Sequence, residues 1–146
     1  MIENRLLDSN ILVYAFDRSE KEPHGISKSL LNTCLDGREQ FFVSLQNISE
    51  FYRVVTCKIE NPLPKAEARK ICQKILTFSG FRKIAPTADT LPNAMYLNDR
   101  YGVPYWDALL AASLLENRVF VIYTQNVRDF EGIPGIRAVN PFPGRP

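Results

Sequence analysis

Histidine is all but missing: His24 is the single one in 146 residues. RNA cleavage by a pair of imidazoles is therefore excluded, and any Ser-His-Asp arrangement would have to recruit this one ring. His24 stands in the polar stretch DRSEKEPHG, which reads as a loop. Cysteine is scarce too. Cys34, Cys57 and Cys72 are odd in number, far apart and without a Cys-x-x-Cys pair, so neither a disulfide framework nor a thiolate zinc site is indicated and buried free thiols are expected. No apolar run approaches the ~20 residues of a membrane span, and no basic segment leads into an apolar one at the N-terminus. An intracellular, cytoplasmic protein that does not enter the membrane is expected. Net charge is low, +2 from eighteen basic and sixteen acidic side chains, too little to announce nucleic-acid binding. Were four acids set aside in a metal site, eighteen would face twelve, and the surplus of +6 would favour a polyanion around an acidic centre.

What is present is the ordinary material of a globular chain, with 45% hydrophobic and 23% charged residues, a balance that argues against disorder. The length suits one hydrophobic core, so a single domain over residues 1–140 is expected, followed by a frayed proline-rich tail over 141–146. Arg5 to Leu7 reads as a short strand, and the apolar segment Ile11 to Phe16 as a helix that Ser9 or Asn10 starts. A helix is predicted from Gly25 to about Asp36, then the strand FFVS at 41–44 and a largely buried helix in LQNISEFYRVVTCKI. Pro64 opens the next helix, with Ala68, Ile71, Cys72 and Ile75 as its apolar stripe. RKIAP is a strand candidate, a helix runs from Thr87 or Asp89 to about Arg100, and the nearly all-apolar WDALLAASLLENR precedes VFVIYT, the clearest strand. A loop and the short strand IRAVN complete the pattern. Short strands alternating with helices imply a parallel sheet covered on both faces, whose sites collect beyond the C-terminal ends of the strands.

Carboxylates stand where a core is expected. Asp8 ends the first strand, Glu50 lies in a helix with apolar neighbours on several sides, and Asp107 sits in the first turn of the most apolar helix. Asp129 follows the strand that ends at Thr124. An isolated ionised carboxylate is costly to bury, so each needs a cation, a cap or exposure. Singly, each has an ordinary explanation: Asp8 as a helix cap, Asp107 against the helix dipole, Glu50 paired with Arg53 or facing solvent. A divalent cation accounts for all of them together, because hard ions such as Mg²⁺ or Mn²⁺ take oxygen ligands, usually a few carboxylates with water completing the shell.

The segments LLDSNILVYAFD, SLQNISEFYRVVT, YWDALLAASLLE and VIYTQNVRDFEGI, in this order and spacing, resemble the PIN-domain ribonucleases, and more narrowly the VapC-type toxins of bacterial toxin–antitoxin pairs. The resemblance covers nearly the whole chain. It implies a three-layer α/β/α sandwich around a parallel sheet and an endoribonuclease site that uses Mg²⁺ or Mn²⁺. By position, Asp8, Glu50 and Asp107 match the family's three invariant acids, while Asn10 and Thr124 match supporting polar positions. Many members carry an aspartate two residues after the threonine. Here that residue is Asn126, and Asp129 comes three residues later, so the fourth position falls to one or the other. Arg53 and Arg128, close in sequence to Glu50 and Asp129, are candidates for RNA phosphate contacts or for neutralising the acids. Tyr105 and Trp106 have the chemistry to stack on a base but are expected to pack beside Asp107, and Phe51 and Tyr52 are assigned to the core or a dimer face. The resemblance further implies an RNA substrate, tRNA among the candidates, a cognate antitoxin and a homodimer.

Three other readings fit parts of the pattern. A non-catalytic PIN-like scaffold binding RNA or protein would keep the fold without the metal, and Asn126 is the residue that favours it. A phosphotransferase with Asp8 as nucleophile would want a second acid where Asn10 stands. A glycosidase could use two of the carboxylates, but the loops carry few aromatics for a sugar.

Overall fold

The computed structural model describes residues 3–144, which form five strands and six helices in a regular alternation. Strands β1 (Arg5–Leu7), β2 (Phe41–Ser44), β3 (Phe81–Ile84), β4 (Val121–Tyr123) and β5 (Arg137–Val139) make one sheet in the order β3-β2-β1-β4-β5, every pairing parallel. The chain builds outward from β1 to β3 on one side, then returns to place β4 on the other side of β1. That reversal opens a crevice at the C-terminal ends of β1 and β4, the usual location of a site in such a sheet.

Side chains alternate across each strand, and the alternation sorts them into two cores. Leu7, Phe41, Val43 and Phe81 face helices α1 (Ser9–Tyr14), α2 (Lys21–Leu35), α3 (Leu45–Cys57) and α4 (Lys65–Thr77). Leu6, Ile84 and Ile122 face α5 (Thr90–Tyr101) and α6 (Tyr105–Glu116). The result is the three-layer sandwich expected from the alternation. Helix α6 is buried on nearly every side from Ala108 to Leu114, which explains its lack of a polar face. At the opposite end of β1 from the crevice, Arg5 lies between the rings of Phe41 and Tyr123, at 5.0 and 5.4 Å, and pairs with Glu39 at 2.9 Å. An aromatic and ionic clamp thus holds β1 against its neighbours.

Several expectations are corrected. Helix α1 is capped by Asp8, whose carboxylate accepts from the Ser9 backbone, rather than by Ser9 or Asn10. Helix α2 starts at Lys21, not Gly25, because Pro23 in a first turn needs no intrahelical donor. His24 is therefore helical and half-buried, its Nδ1 2.9 Å from the Tyr14 carbonyl oxygen. Helix α3 buries one face only, through Asn47, Ile48, Phe51 and Val55. Cys34 and Cys72 are buried, but Cys57 is exposed. The proline-rich segment is not frayed at Phe142, which is buried and meets Tyr14 edge-to-face at 5.1 Å; residues 145–146 of that segment lie outside the described residues. No helix of the described residues is long and apolar enough to cross a membrane.

Candidate active site

Asp8 occupies the crevice between β1 and β4 and is fixed by the backbone before its side chain is considered. Its N–H donates to the Tyr123 carbonyl at 3.0 Å, extending the β1–β4 ladder by one residue, and its own carbonyl accepts from Ile11 at 3.0 Å as α1 begins. The carboxylate is 7% exposed and receives three donors: the Ser9 N–H at 2.8 Å and Asn47 Nδ2 at 3.0 Å on Oδ1, and Thr124 Oγ1 at 2.7 Å on Oδ2. Burial pushes the Asp8 carboxyl above its ordinary range against the bonds from Thr124 and Ser9, and the charge of Glu50 adds to the rise.

Thr124 is the hub of the support. Its hydroxyl gives its only proton to Asp8 and accepts from Asn10 Nδ2 at 3.3 Å and from the Asn126 N–H at 3.0 Å, so both lone pairs are used. Asn10 returns a contact by accepting from the Gln125 N–H at 3.3 Å, and Tyr14 donates to Gln125 Oε1 at 2.9 Å. These bonds stitch α1 to the loop after β4. Replacing Thr124 with valine removes the donor while nearly keeping the volume; roughly a tenfold loss of any activity that depends on Asp8 is expected, with Thr124→Ser retaining most of it, as measured by initial rates.

Glu50 reaches the crevice from α3. It is exposed and lines a cleft of about 310 Å³ together with Asn10, Tyr14, Asp17 and Asn126. Asp107 comes from the first turn of α6, where Pro104 stands at the cap. Its carboxyl is pushed up to about 7, first by burial and then by the negative charges of Asp129, Asp8 and Glu50, with a hydrogen bond shared with Asp129 favouring the protonated form. Four acids from four separate segments therefore lie within one electrostatic neighbourhood. The short 3-10 turn Val127–Asp129 carries Asp129 to Asp107, whereas Asn126 is exposed and joins through its backbone bond to Thr124.

The donors offered are hard oxygens of one charge, the chemistry that Mg²⁺ or Mn²⁺ selects. Asn47 Oδ1 adds a buried oxygen with no partner among the described residues. As positioned, no three of the described His, Cys, Asp and Glu side chains converge into a ready ligand set. The arrangement therefore suits an ion that keeps part of its water shell, as magnesium commonly does, with Asp8, Glu50 and Asp107 as the carboxylates available to it.

Arg128 lines a second cleft of about 610 Å³ with Asn126, Val127 and Asp129, and Arg53 is exposed one turn beyond Glu50. Among the described residues neither arginine forms a salt bridge, so Glu50 faces solvent instead of pairing with Arg53, and the acids are not neutralised in that way. Asn126 borders both clefts, with Glu50 lining the smaller and Asp129 the larger. Phe51 is wholly buried and Tyr52 packs on the same core. Tyr105 packs against the other core as expected, but Trp106 is 67% exposed. Asn47 is the functional candidate that the sequence reading missed; its signal was the one-turn spacing to Glu50, which aligns the two on one face of α3.

A family model described as the PIN domain matches residues 5–135. Among solved structures, a toxin–antitoxin complex from Klebsiella pneumoniae is similar over 95% of this chain and 98% of its own, with 24% identity and a TM-score of 0.64. The Mycobacterium tuberculosis toxin VapC20, described as cleaving the sarcin–ricin loop, is similar over 83% of this chain and 88% of its own, with 14% identity and a TM-score of 0.63. A DNA-bound VapBC from Salmonella typhimurium is similar over 94% and 97%, with 20% identity and a TM-score of 0.61. These likenesses establish a shared fold. No curated protein matches the sequence.

Proposed function

Because this chain belongs to the PIN-domain family, its match running through nearly the whole sequence, we propose that it is a divalent-metal-dependent endoribonuclease acting as the toxin of a toxin–antitoxin pair. The observation that carries the reading is the gathering of Asp8, Glu50, Asp107 and Asp129, distant in sequence, at the C-terminal edge of the sheet, where burial first and then the charges of the other three raise the Asp107 carboxyl to about 7. Support for an RNA substrate comes from the similar fold that cuts the sarcin–ricin loop, and support for an antitoxin partner from the toxin–antitoxin complexes with the same fold. A homodimer remains part of the proposal.

In this reading Asp8, Glu50 and Asp107 hold Mg²⁺ or Mn²⁺. When bound, such an ion supplies Lewis-acid polarisation of the scissile phosphate and acidifies an attacking water, chemistry that a chain with one histidine does not provide by imidazole pairs. The residues themselves supply orientation. Thr124, Ser9 and Asn47 keep the Asp8 oxygens in a fixed acceptor geometry, and Asp129 holds Asp107 through the hydrogen bond between their carboxyl groups. Arg128, which lines the larger cleft, and the exposed Arg53 form no salt bridge among the described residues and are available to phosphates of a strand at the acids.

The test uses purified protein with bulk tRNA and with structured RNA, in Mn²⁺ and in EDTA. Cleavage confined to the Mn²⁺ reactions is the expected result, and cleavage that persists in EDTA overturns the reading. The absence of a preformed ligand set among the described residues favours a second reading, a non-catalytic scaffold for RNA or protein. Calorimetry separates the two, because only the nuclease predicts Mn²⁺ binding heat that Asp107→Asn diminishes.

A further inference from the structure

Trp106 is the chain's only tryptophan, and the core does not use it. Its side chain is 67% exposed, although tryptophan is on average among the well-covered residues. Yet it is held in place. The indole lies edge-to-face on Tyr105, with centroids 5.4 Å apart and planes at 71°. Tyr105 in turn packs on the core beneath α5 and α6. The Trp106 carbonyl accepts a bond from Gln46 Nε2 at 3.3 Å, which ties the start of α6 to the first turn of α3 just beyond the end of β2. The next residue along the chain is Asp107. An aromatic face open to solvent therefore stands at the start of α6, one residue before Asp107 in the chain.

We infer that Trp106 is a stacking platform for a base of single-stranded RNA, receiving a nucleotide beside the phosphate that lies at the acids. The inference rests on the nuclease reading above. Every base has an apolar π-face, so a rigid indole gains contact with whichever nucleotide arrives, and little side-chain freedom is lost because Tyr105 already fixes the ring. A second copy of the chain is the competing occupant. The Gln46 amide that bonds the Trp106 carbonyl and the acidic residue next in the chain, Asp107, make this a polar neighbourhood, which suits a nucleotide better than the charge-depleted centre of a protein interface.

Because there is one tryptophan, its emission reports on this site alone. The probes are a single-stranded oligoadenylate and an abasic ribose-phosphate oligomer of equal length, added to the wild-type chain in EDTA and to Asp8→Asn in Mn²⁺. Quenching by oligoadenylate and little response to the abasic oligomer are expected. In a filter-binding assay Trp106→Ala should weaken oligoadenylate binding about tenfold while Trp106→Phe retains most of it, and in wild-type background Trp106→Ala should raise KM more than it lowers kcat. Phe120→Ala, an exposed aromatic before β4 and away from the crevice, is expected to bind like wild type. Circular dichroism checks that the variants stay folded. Equal affinity of wild type and Trp106→Ala overturns the inference. So does an emission shift that follows protein concentration without RNA, since that places a second copy on the ring. The nuclease reading fails separately: quenching with no Mn²⁺-dependent cleavage by wild type keeps the platform and removes the enzyme, whereas cleavage without quenching does the reverse.

Discussion

Asp8→Asn is expected to lower Mn²⁺-dependent RNA cleavage by about 10³-fold or more, equivalent to about 4 kcal/mol of transition-state stabilisation, while leaving the fold intact. The substitution is nearly isosteric, so Ser9, Asn47 and the α1 cap lose little packing. What changes is charge and the acceptor facing Thr124, whose hydroxyl now meets an amide nitrogen on that side. Burial already disfavours the ionised form of Asp8, so the neutral amide relieves a cost of folding. Activity and stability should therefore move in opposite directions, with cleavage lost and the melting temperature unchanged or raised. Gel-based cleavage rates and thermal melts on the same preparation check this. A variant that still cleaves removes Asp8 from the mechanism, and a variant that loses both cleavage and its melting transition shows that Asp8 is needed for folding instead.

Asp107 gives the second large effect, this time on stability in metal-free protein. Its carboxyl is raised from 3.8 to about 7 by burial and by Asp129, Asp8 and Glu50. Between those values the folded chain binds a proton that the unfolded chain has released, so stability falls as pH rises from about 4 to about 7 and levels off above. The full gap corresponds to roughly 4 kcal/mol; because the side chain stays partly open to water, screening brings this to about 2 kcal/mol. Asp107→Asn has no such proton to lose. It should match wild type near pH 4 and exceed it by about 2 kcal/mol at pH 8, some 4–8 °C in melting temperature for a chain of this size. Mn²⁺ at pH 8 should close the difference by stabilising wild type only, since an ion that binds the folded state shifts unfolding by mass action. Parallel melting curves across the pH range, or equal Mn²⁺ stabilisation of both proteins, refute the coupled cluster.

Residue type and spacing were enough to mark Asp8, Glu50 and Asp107, because an acid inside an apolar pattern is visible without coordinates. β1 and β2 were legible to the residue, both being short apolar runs bounded by polar sequence. The beginning of α2 was not, since Pro23 looks like a breaker until it is known to sit in a first turn, where its missing N–H costs nothing. Trp106 and Phe142 were misread in opposite directions. Large aromatics are usually covered and proline-rich ends usually free, and only the packing of Tyr105 and Tyr14 decides otherwise here. Asn47 was missed because its one-turn spacing to Glu50 marks a shared helix face but not the burial that brings its amide to Asp8.

By itself the sequence determined an alternating α/β chain with strand-end carboxylates, because hydrophobic periodicity and the cost of burying charge are properties of neighbours along the chain. The tertiary structure decided which acids meet. Placing β4 beside β1 brings Thr124 to Asp8 across 116 positions of sequence, and the turn after it delivers Asp129 rather than Asn126 to Asp107. Coulombic coupling depends on distance through space, and no spacing in the chain encodes that distance.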